Sequence, residues 1–482
     1  MRYNLHIDTL IQLLNNTIFP IFSRGTPSEK FFHLSILIFF IFHFSFFNLN
    51  CNNKPILPPD DEPKYTQCIS LTAEEIAVTE VWLKIKFTDT TVNRSFKLVR
   101  DGQTVLSALC SSLDTVVLDE NLLPNHTYKY KALRLVDTKA VDSALLDVPT
   151  MDTTSHNFIW RVDTLGEGTT MGVNDVCIIN DTCVWVVGQF NVTGSSISKK
   201  YSPYNAAHWN GSKWEILMVP TEDYGGYISN SEIYTVYGFS TNDVWMFASN
   251  GAYSHWDGLV WKTQFINEHY GYGRKFWGTG PSNLYLAGMG CVTHYDGHRW
   301  QKMETGNDVQ LYDVWGSPDG TVVWATGYYS DQAGTYLFRY DGTSWKMVYD
   351  GTNSRTITPD SISGVITTVW TNSNNKVFVG AGAGIFLSES RANWKSRLVT
   401  PFGWLRTLPK GMRGNDINDI FIVGTYGFIG HYNGNTCKQY SQFYSNKNLI
   451  YSVAQKGNLV VAVGINFGDS IFTNAIVLIG RR

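Results

Sequence analysis

Charge is scarce in this chain. Of 482 residues only 16% are Asp, Glu, Lys or Arg, against about 25% in an average soluble protein, and the formal net charge is −3. A surface so poor in cations excludes nucleic acid as a partner, because that capture draws on many Lys and Arg contacts to phosphate, and it excludes a peripheral hold on anionic lipid. Cysteine is also sparse. The seven, Cys51, Cys68, Cys110, Cys177, Cys183, Cys291 and Cys437, form no C-x-x-C pair and no Cys/His ligand spacing, so neither a disulfide scaffold nor a zinc site is expected. Only Cys177 and Cys183 lie close, in VCIINDTCVWVVG. Their facing depends on the length of the turn between them, and buried free thiols are the expectation for most of the set. No G-x-S-x-G, phosphate-binding glycine loop, dinucleotide fingerprint or Asp-x-Asp signature occurs, so no cofactor is called for. What abounds is 16 Trp, 26 Tyr, 27 Phe and 42 Gly beside 15 Pro, a composition that suits many short strands and tight turns.

Residues 31–47 read FFHLSILIFFIFHFSFF without a charged side chain, the pattern of a secretion signal. The run barely reaches the length of a membrane span and carries two His and two Ser, which argues against a permanent one. Residues 1–30 are longer than a usual leading region, as a translation start further downstream would explain. Cys51 follows, then the tether NNKPILPPDDEP. This layout resembles a bacterial lipoprotein signal, which implies lipidation of Cys51 and an extracytoplasmic, membrane-anchored protein. It departs from that pattern in having Asn48, Leu49 and Asn50 where the family has Leu and then small residues. Lipidation, simple secretion and an uncleaved anchor all remain open. Residues 1–51 are assigned to this segment and 52–63 to the tether.

Residues 64–151 alternate apolar and polar in short runs, EVWLKIKF, SFKLVRDG, DTVVLD and HTYKYKALRLV, bounded by turn residues, as in a β-sandwich. With Trp82 in the second strand, a turn at Arg100-Asp101-Gly102 and Tyr128 following Leu123-Pro124-Asn125, the segment resembles a fibronectin type III domain. The resemblance implies a spacer or adhesion module.

Residues 152–482 repeat. Successive units carry His208-Trp209-Asn210-Gly211 with Trp214, His255-Trp256-Asp257-Gly258 with Trp261, His294-Tyr295-Asp296-Gly297 with Trp300, Arg339-Tyr340-Asp341-Gly342 with Trp345, a decayed copy ending at Trp394, and His431-Tyr432-Asn433-Gly434 with Cys437. Second strands end at Gly188, Ala248, Gly288, Gly327, Gly380, Gly424 and Gly464. A four-stranded unit of about 40 residues is the size of a propeller blade, so the pattern predicts seven blades. The Asn-Gly and Asp-Gly pairs predict two-residue turns before the outer strand, and each following Trp is expected to pack between neighbouring blades. The last unit lacks an outer strand, while Asn157 to Val162, with Trp160 in the matching place, precedes the first. That segment is expected to complete the seventh blade and so remove exposed sheet edges. The fold class is thus all-β, a fibronectin type III-like sandwich followed by a seven-bladed β-propeller closed by an N-terminal strand. The repeats resemble those of uncharacterised bacterial extracytoplasmic propellers with an NDVW…HWDGxxW pattern, and the domain order matches fibronectin-propeller lipoproteins of that kind.

The recurring histidines occupy one slot in different blades, which separates them, so structural roles are expected and no metal site. Asp175, Asp243 and Asp419 each follow an Asn and are read as turn caps. Binding is the better reading than catalysis. The loops on one propeller face carry Tyr224, Tyr227, His269, Tyr270, Tyr272, Arg274, Tyr328, Tyr329, Trp404, Arg406, Tyr426 and Phe467, rings and guanidinium groups suited to a sugar face or a protein partner. The blander reading is that they pack loops onto the ring. The function expected is that of a noncatalytic cell-envelope binding or scaffold protein recognising a glycan or an envelope protein. The alternative is a carbohydrate-active enzyme of propeller type.

Overall fold

The computed structural model describes residues 68–88, 94–166, 172–192, 204–266, 273–306, 308–328, 334–351, 362, 364–389, 395–401, 403–405, 407–467 and 473–482. Cys51, the apolar segment and the tether lie outside them. The described secondary structure is all strand apart from one three-residue turn of 3-10 helix.

Strands Ile69–Ile76, Glu80–Phe87 and Asp114–Glu120 form one antiparallel sheet, and Gln103–Leu109, Ser95–Arg100, Thr127–Val136 and Lys139–Pro149 form another. They share one buried cluster, because alternation along Glu80–Phe87 sends Val81, Leu83, Ile85 and Phe87 to the same side, where they meet Phe96, Leu98 and Tyr130. Asp101 and Gly102 both adopt positive φ, 47° and 84°, which is the two-residue hairpin turn expected there. The Tyr128 hydroxyl accepts from the Leu123 amide at 2.8 Å, a corner tie of the type foreseen. Trp82 lies on the opposite side of its strand from that cluster, with Lys376 Nζ 5.6 Å from its ring. Lys376 also bonds Glu80 at 3.1 Å and Glu75 at 3.3 Å, and Arg397 bonds Glu80 as well. A buried carboxylate shared by two cations thus fastens these sheets to the repeats.

From residue 159 onward seven four-stranded antiparallel sheets follow one another among the described residues, six of them in simple up-and-down order. Their leading strands are Gly172–Asn180, Ile233–Ser240, Lys275–Gly280, Gln310–Gly316, Thr368–Trp370, Pro409–Asp416 and Asn448–Lys456. The result is a propeller-like repeat fold. The seventh sheet takes its outer strand from the other end of the repeats: Ile159–Leu165 pairs antiparallel with Thr473–Arg481, Trp160 opposite Gly480. The first and seventh sheets share one apolar cluster, with Val173, Val184 and Val186 against Val461, Val463 and Val477.

Four of the repeats hold a cross-strand pair of an aromatic ring and a histidine. The aromatic three residues before the second-strand glycine faces the histidine of the third strand, Trp185 against His208, Trp245 against His255, Tyr285 against His294 and Phe421 against His431, with ring centroids 4.0 to 4.5 Å apart. The outer-strand tryptophan of the next sheet then meets that aromatic: Trp261 lies 5.8 Å from Trp185, Trp300 6.2 Å from Trp245 and Trp160 6.2 Å from Phe421. The expected packing between neighbours holds for these. The histidines are held as scaffold, His255 by Asp243 at 2.8 Å, His294 by Asn283 at 2.8 Å, His431 by Asp419 at 2.9 Å and His208 by Cys183 at 3.3 Å.

Two expectations need correction. The turn before the outer strand spans four residues, since Trp209 pairs with Trp214 and Tyr432 with Cys437. Only its glycine takes positive φ, as Gly211 at 93° and Gly258 at 92° do. The preceding Asn or Asp instead accepts the amides two and three residues on, for example Asp257 Oδ1 from Leu259 and Val260 at 3.0 and 2.9 Å, the Asx arrangement that makes a longer turn stable. Asp175 is also no turn cap. It is buried on a leading strand, whereas Asp243 and Asp419 begin second strands and hold histidines. Cys177, Cys183 and the other described cysteines are free thiols, and burial pushes the Cys177 thiol up to about 12.

Candidate binding site at the convergence of the leading strands

One position recurs on every leading strand: Asp175, Thr235, Lys275, Asp313, Thr368, Gly411 and Ser452. These residues meet. Asp175 Oδ2 accepts from Thr235 Oγ1 at 2.7 Å and from the Val236 amide at 3.2 Å; its Oδ1 accepts from Ser452 Oγ at 2.7 Å and pairs with Lys275 Nζ. Asp313 Oδ2 accepts from Thr368 Oγ1 at 2.7 Å and the Val369 amide at 3.1 Å. Gly411 leaves its place to Arg413, two residues on, whose guanidinium grips Asp313 at 2.9 and 2.7 Å and lies 4.3 Å from the Trp315 ring centroid. The ties join the first sheet to the adjoining seventh and, beyond neighbours, the first to the third and the fourth to the sixth. Burial opposes ionisation of Asp175, but Lys275 and the hydroxyls outweigh it and hold the carboxyl below its ordinary range. Both carboxylates are saturated with donors, so neither is on offer to a ligand.

The preceding residue on each strand behaves differently. In five sheets the pairing with the second strand skips it: Asn174, Tyr234, Tyr312, Lys410 and Tyr451 each fall at a register shift. Such a bulge frees one residue from the ladder and re-aims its side chain. Arg274 stands in the same place ahead of Lys275, its amide donating to the Ala287 carbonyl at 2.8 Å. All six are half-buried, while Thr367, the corresponding residue of the fifth sheet, is buried. Arg274 lies 5.8 Å from both the Tyr234 and the Tyr312 ring centroids. The Gln310 amide bridges, its oxygen accepting from Arg274 Nε and Nη2 at 3.2 and 3.0 Å and its nitrogen donating to the Tyr312 hydroxyl at 3.1 Å. Tyr328 stacks on Tyr312 at 4.5 Å with planes 10° apart. Burial, then this neighbouring ring, raises the Tyr312 phenol well above its usual value. Lys410 is pushed below the ordinary lysine range by burial and then by the Arg274 charge. The rings of Tyr234, Tyr312 and Tyr328, the Arg274 guanidinium and the Gln310 amide are thus gathered in one place, a set of flat faces with polar handles.

The structure brings Arg274 and Tyr328 of the expected residues into this cluster. Tyr224 and Tyr227 stand exposed around a small hairpin, Thr221–Glu222 with Ile228–Ser229, after the first sheet, and Tyr224 lies edge-on to Phe265 at 5.5 Å. Tyr426 takes positive φ in the loop after the second strand of the sixth sheet, 6.4 Å from Tyr444, and Phe467 is partly exposed at the end of its strand. Trp404 packs on Phe428 at 5.3 Å and over Gly430, where a Cβ would come within 2.3 Å of it, so loop packing accounts for it. His269, Tyr270, Tyr272, Tyr329 and Arg406 lie outside the described residues. Tyr234, Tyr312, Lys410 and Tyr451 were missed. Their signal was the residue just before the shared position, in IYTVYG and LYDVWG, which shows only when the leading strands are aligned with one another.

No protein-family model matches the chain, and no curated protein does. Among solved structures it is similar to YCF48 bound to a D1 peptide, with a TM-score of 0.49 and 16% identity over 68% of this chain and 97% of that one. It is similar also to YCF48 from Cyanidioschyzon merolae, with a TM-score of 0.47 and 11% identity over 67% and 98%. A third is a protein of unknown function from Bacteroides thetaiotaomicron, at 0.35 and 11% over 86% and 99%.

Proposed function

We propose that this is a noncatalytic cell-envelope binding or scaffold protein, in which a fibronectin type III-like sandwich, residues 64–151, carries a seven-bladed propeller, residues 152–482, whose loop face recognises a glycan or an envelope protein. The supporting observation is that Arg274 lies 5.8 Å from the rings of both Tyr234 and Tyr312, two residues that bulges free from the strand ladder. The saturation of Asp175 and Asp313 favours binding over catalysis, because a general acid or base must be able to exchange its proton with a substrate. The full chain displayed to a glycan array and to envelope extracts is expected to retain specific partners. Binding to neither overturns the proposal.

The same reading places the protein outside the cytoplasm on a lipid at Cys51. Membrane fractionation tests that. The chain should partition with membranes and Cys51→Ser should release it; unchanged partition and gel mobility remove lipidation.

A further inference from the structure

Between the second and third sheets lies a cavity of about 410 Å³, with Tyr253, Gln264 and Phe265 on one wall and Tyr295, Arg299 and Gln301 on the other. Its size is that of a small-ligand site, roughly 300–1,000 Å³. The walls are the third and outer strands of the second sheet, Ala252–Trp256 and Trp261–Phe265, and the end of the hairpin that joins Cys291–Tyr295 to Trp300–Glu304 in the third. Equivalent positions in the other sheets show what the scaffold needs there. Two residues before the place of the third-strand histidine, six sheets put an apolar side chain at 0% exposure: Ala206, Val292, Leu337, Phe386, Ile429 and Val477. The second sheet puts Tyr253 there, and it is half-buried. Opposite Tyr253 the outer strand carries Gln264, where the first sheet has Leu217 and the third Met303. In the turn that faces them, His298 and Arg299 stand where the second sheet has Leu259 and Val260. Packing does not call for a phenol and an amide in places that an apolar pair fills elsewhere.

The rings are held in fixed planes. Tyr253 stacks on Trp245 at 5.5 Å with planes 25° apart and lies 5.6 Å from Trp300, while Tyr295 lies 5.1 Å from Trp245 and 5.0 Å from Trp300. Both phenols are anchored, Tyr253 donating to Gln264 Oε1 at 3.0 Å and Tyr295 to the Gly297 carbonyl at 3.1 Å. Gln301 Nε2 donates to Asp296 Oδ2 at 2.9 Å, and Asp296 Oδ1 accepts the His298 and Arg299 amides, each at 2.9 Å, so that carboxylate is committed. There remain the Gln264 NH2 as a donor, the Gln301 oxygen as an acceptor, and the Arg299 side chain, 76% exposed and no nearer than 3.9 Å to Asp296.

A glucose-like ring, with its substituents equatorial, has flat apolar faces and a rim of hydroxyls that both donate and accept. Aromatic rings with polar handles suit the faces, and amides with a guanidinium suit the rim. A cation would meet no carboxylate among the described lining residues and would face Arg299, while a wholly apolar ligand would bury the amides without partners. We infer that the cavity between the second and third sheets binds a neutral saccharide of glucose-like rings, one ring lying against Tyr253, Tyr295 and Phe265 with its hydroxyls held by Gln264, Gln301 and Arg299. The site is built from third and outer strands, not from the leading strands, so it is separate from the loop face proposed above and does not depend on it.

Titration calorimetry of the full chain with cellotetraose provides the test, alongside tryptophan emission, since Trp245 and Trp300 touch both tyrosines of the cavity. The sugar should bind and shift the emission. Tyr253→Val and Gln264→Met install the residues that the third sheet carries at these places, so each should leave the melting temperature within a few degrees of the parent and weaken cellotetraose by about tenfold or more. If Tyr253→Val does not fold, Gln264→Met alone decides. An extended Val/Thr peptide, the ligand expected of an open strand edge, should not displace the sugar. No binding of cellotetraose at millimolar concentration overturns the inference, as does displacement by the peptide or parental affinity in the folded variants. If partners are retained from the glycan array or the envelope extracts while cellotetraose does not bind, this inference fails and the broader function stands. If cellotetraose binds and Tyr253→Val abolishes it while no other partner is retained, the cavity stands and the loop-face reading fails.

Discussion

Replacing Asp313 by Ala is expected to cost about 3–5 kcal/mol of folding stability, because it strands the buried Arg413 guanidinium without its counter-charge. The bond is bidentate, at 2.9 and 2.7 Å, and Arg413 is only 9% exposed, so water cannot replace the lost partner. Urea unfolding followed by tryptophan fluorescence measures the change. Asp313→Leu combined with Arg413→Met should recover most of it, since a buried pair exchanged for apolar groups of similar size is close to neutral. A single-variant loss below about 1 kcal/mol, the range of exposed pairs, would show that the fourth and sixth sheets do not depend on this tie. The Asp175–Lys275 pair has a pH signature of its own. Its carboxyl is held below the unfolded value of about 3.9, so its contribution is complete above that pH and lost on acidification through the folded-state value.

Deleting residues 159–165 is expected to abolish cooperative unfolding or to lower the melting temperature sharply. This strand contributes the whole fourth edge of the seventh sheet, from Leu165 opposite Ala475 to Ile159 opposite Arg481. Without it, Thr473–Arg481 would present an unpaired edge, which is both a lost ladder and a site for association. The strand is latched just ahead of its start. His156 Nδ1 lies 2.7 Å from His431 Nδ1, His431 Nε2 lies 2.9 Å from Asp419, and the guanidinium of Arg482 closes on Asp419. With His431 Nε2–H donating to the Asp419 carboxylate, the Nδ1 of the neutral His431 ring accepts from His156 Nδ1–H, so the pair holds while both rings are neutral. Lys438 and Arg482 flank the pair and Asp419 faces it; burial first, then His431 and Lys438, bring His156 down to about 4. The folded state therefore resists protonation that the unfolded chain accepts at about 6.5. The contribution is complete above pH of about 6.5 and is lost as the pH falls toward 4. Thermal scans across that window should show the loss, and His156→Asn should flatten it. A deletion variant that melts as the full chain does would refute closure by this strand.

How much of this was legible beforehand depends on how local each signal is. The repeats declared themselves because a turn glycine and an outer-strand tryptophan recur at fixed spacing, and the need to bury sheet edges made residues 157–162 the natural complement of a last unit that lacked a strand. The Arg100-Asp101-Gly102 turn and the Tyr128 corner were legible for the same reason, since both depend on residues within a few positions. The four-residue turns were not, because Asp257 and Asn433 act through side-chain acceptance of later amides, which competes with the left-handed backbone that an Asn-Gly or Asp-Gly pair first brings to mind.

The sequence by itself therefore determined the strand content, the repeat and its closure, as these follow from periodic burial and from turn chemistry. Tertiary structure alone decided what lies where the leading strands converge. Asp175 meets Lys275 and Ser452 from far along the chain, and Arg274 comes to the rings of Tyr234 and Tyr312, only because successive sheets turn their leading strands inward and a one-residue bulge frees one side chain in each of five of them. A bulge leaves no mark in composition or spacing, so the residues it gathers are seen only once the sheets are assembled.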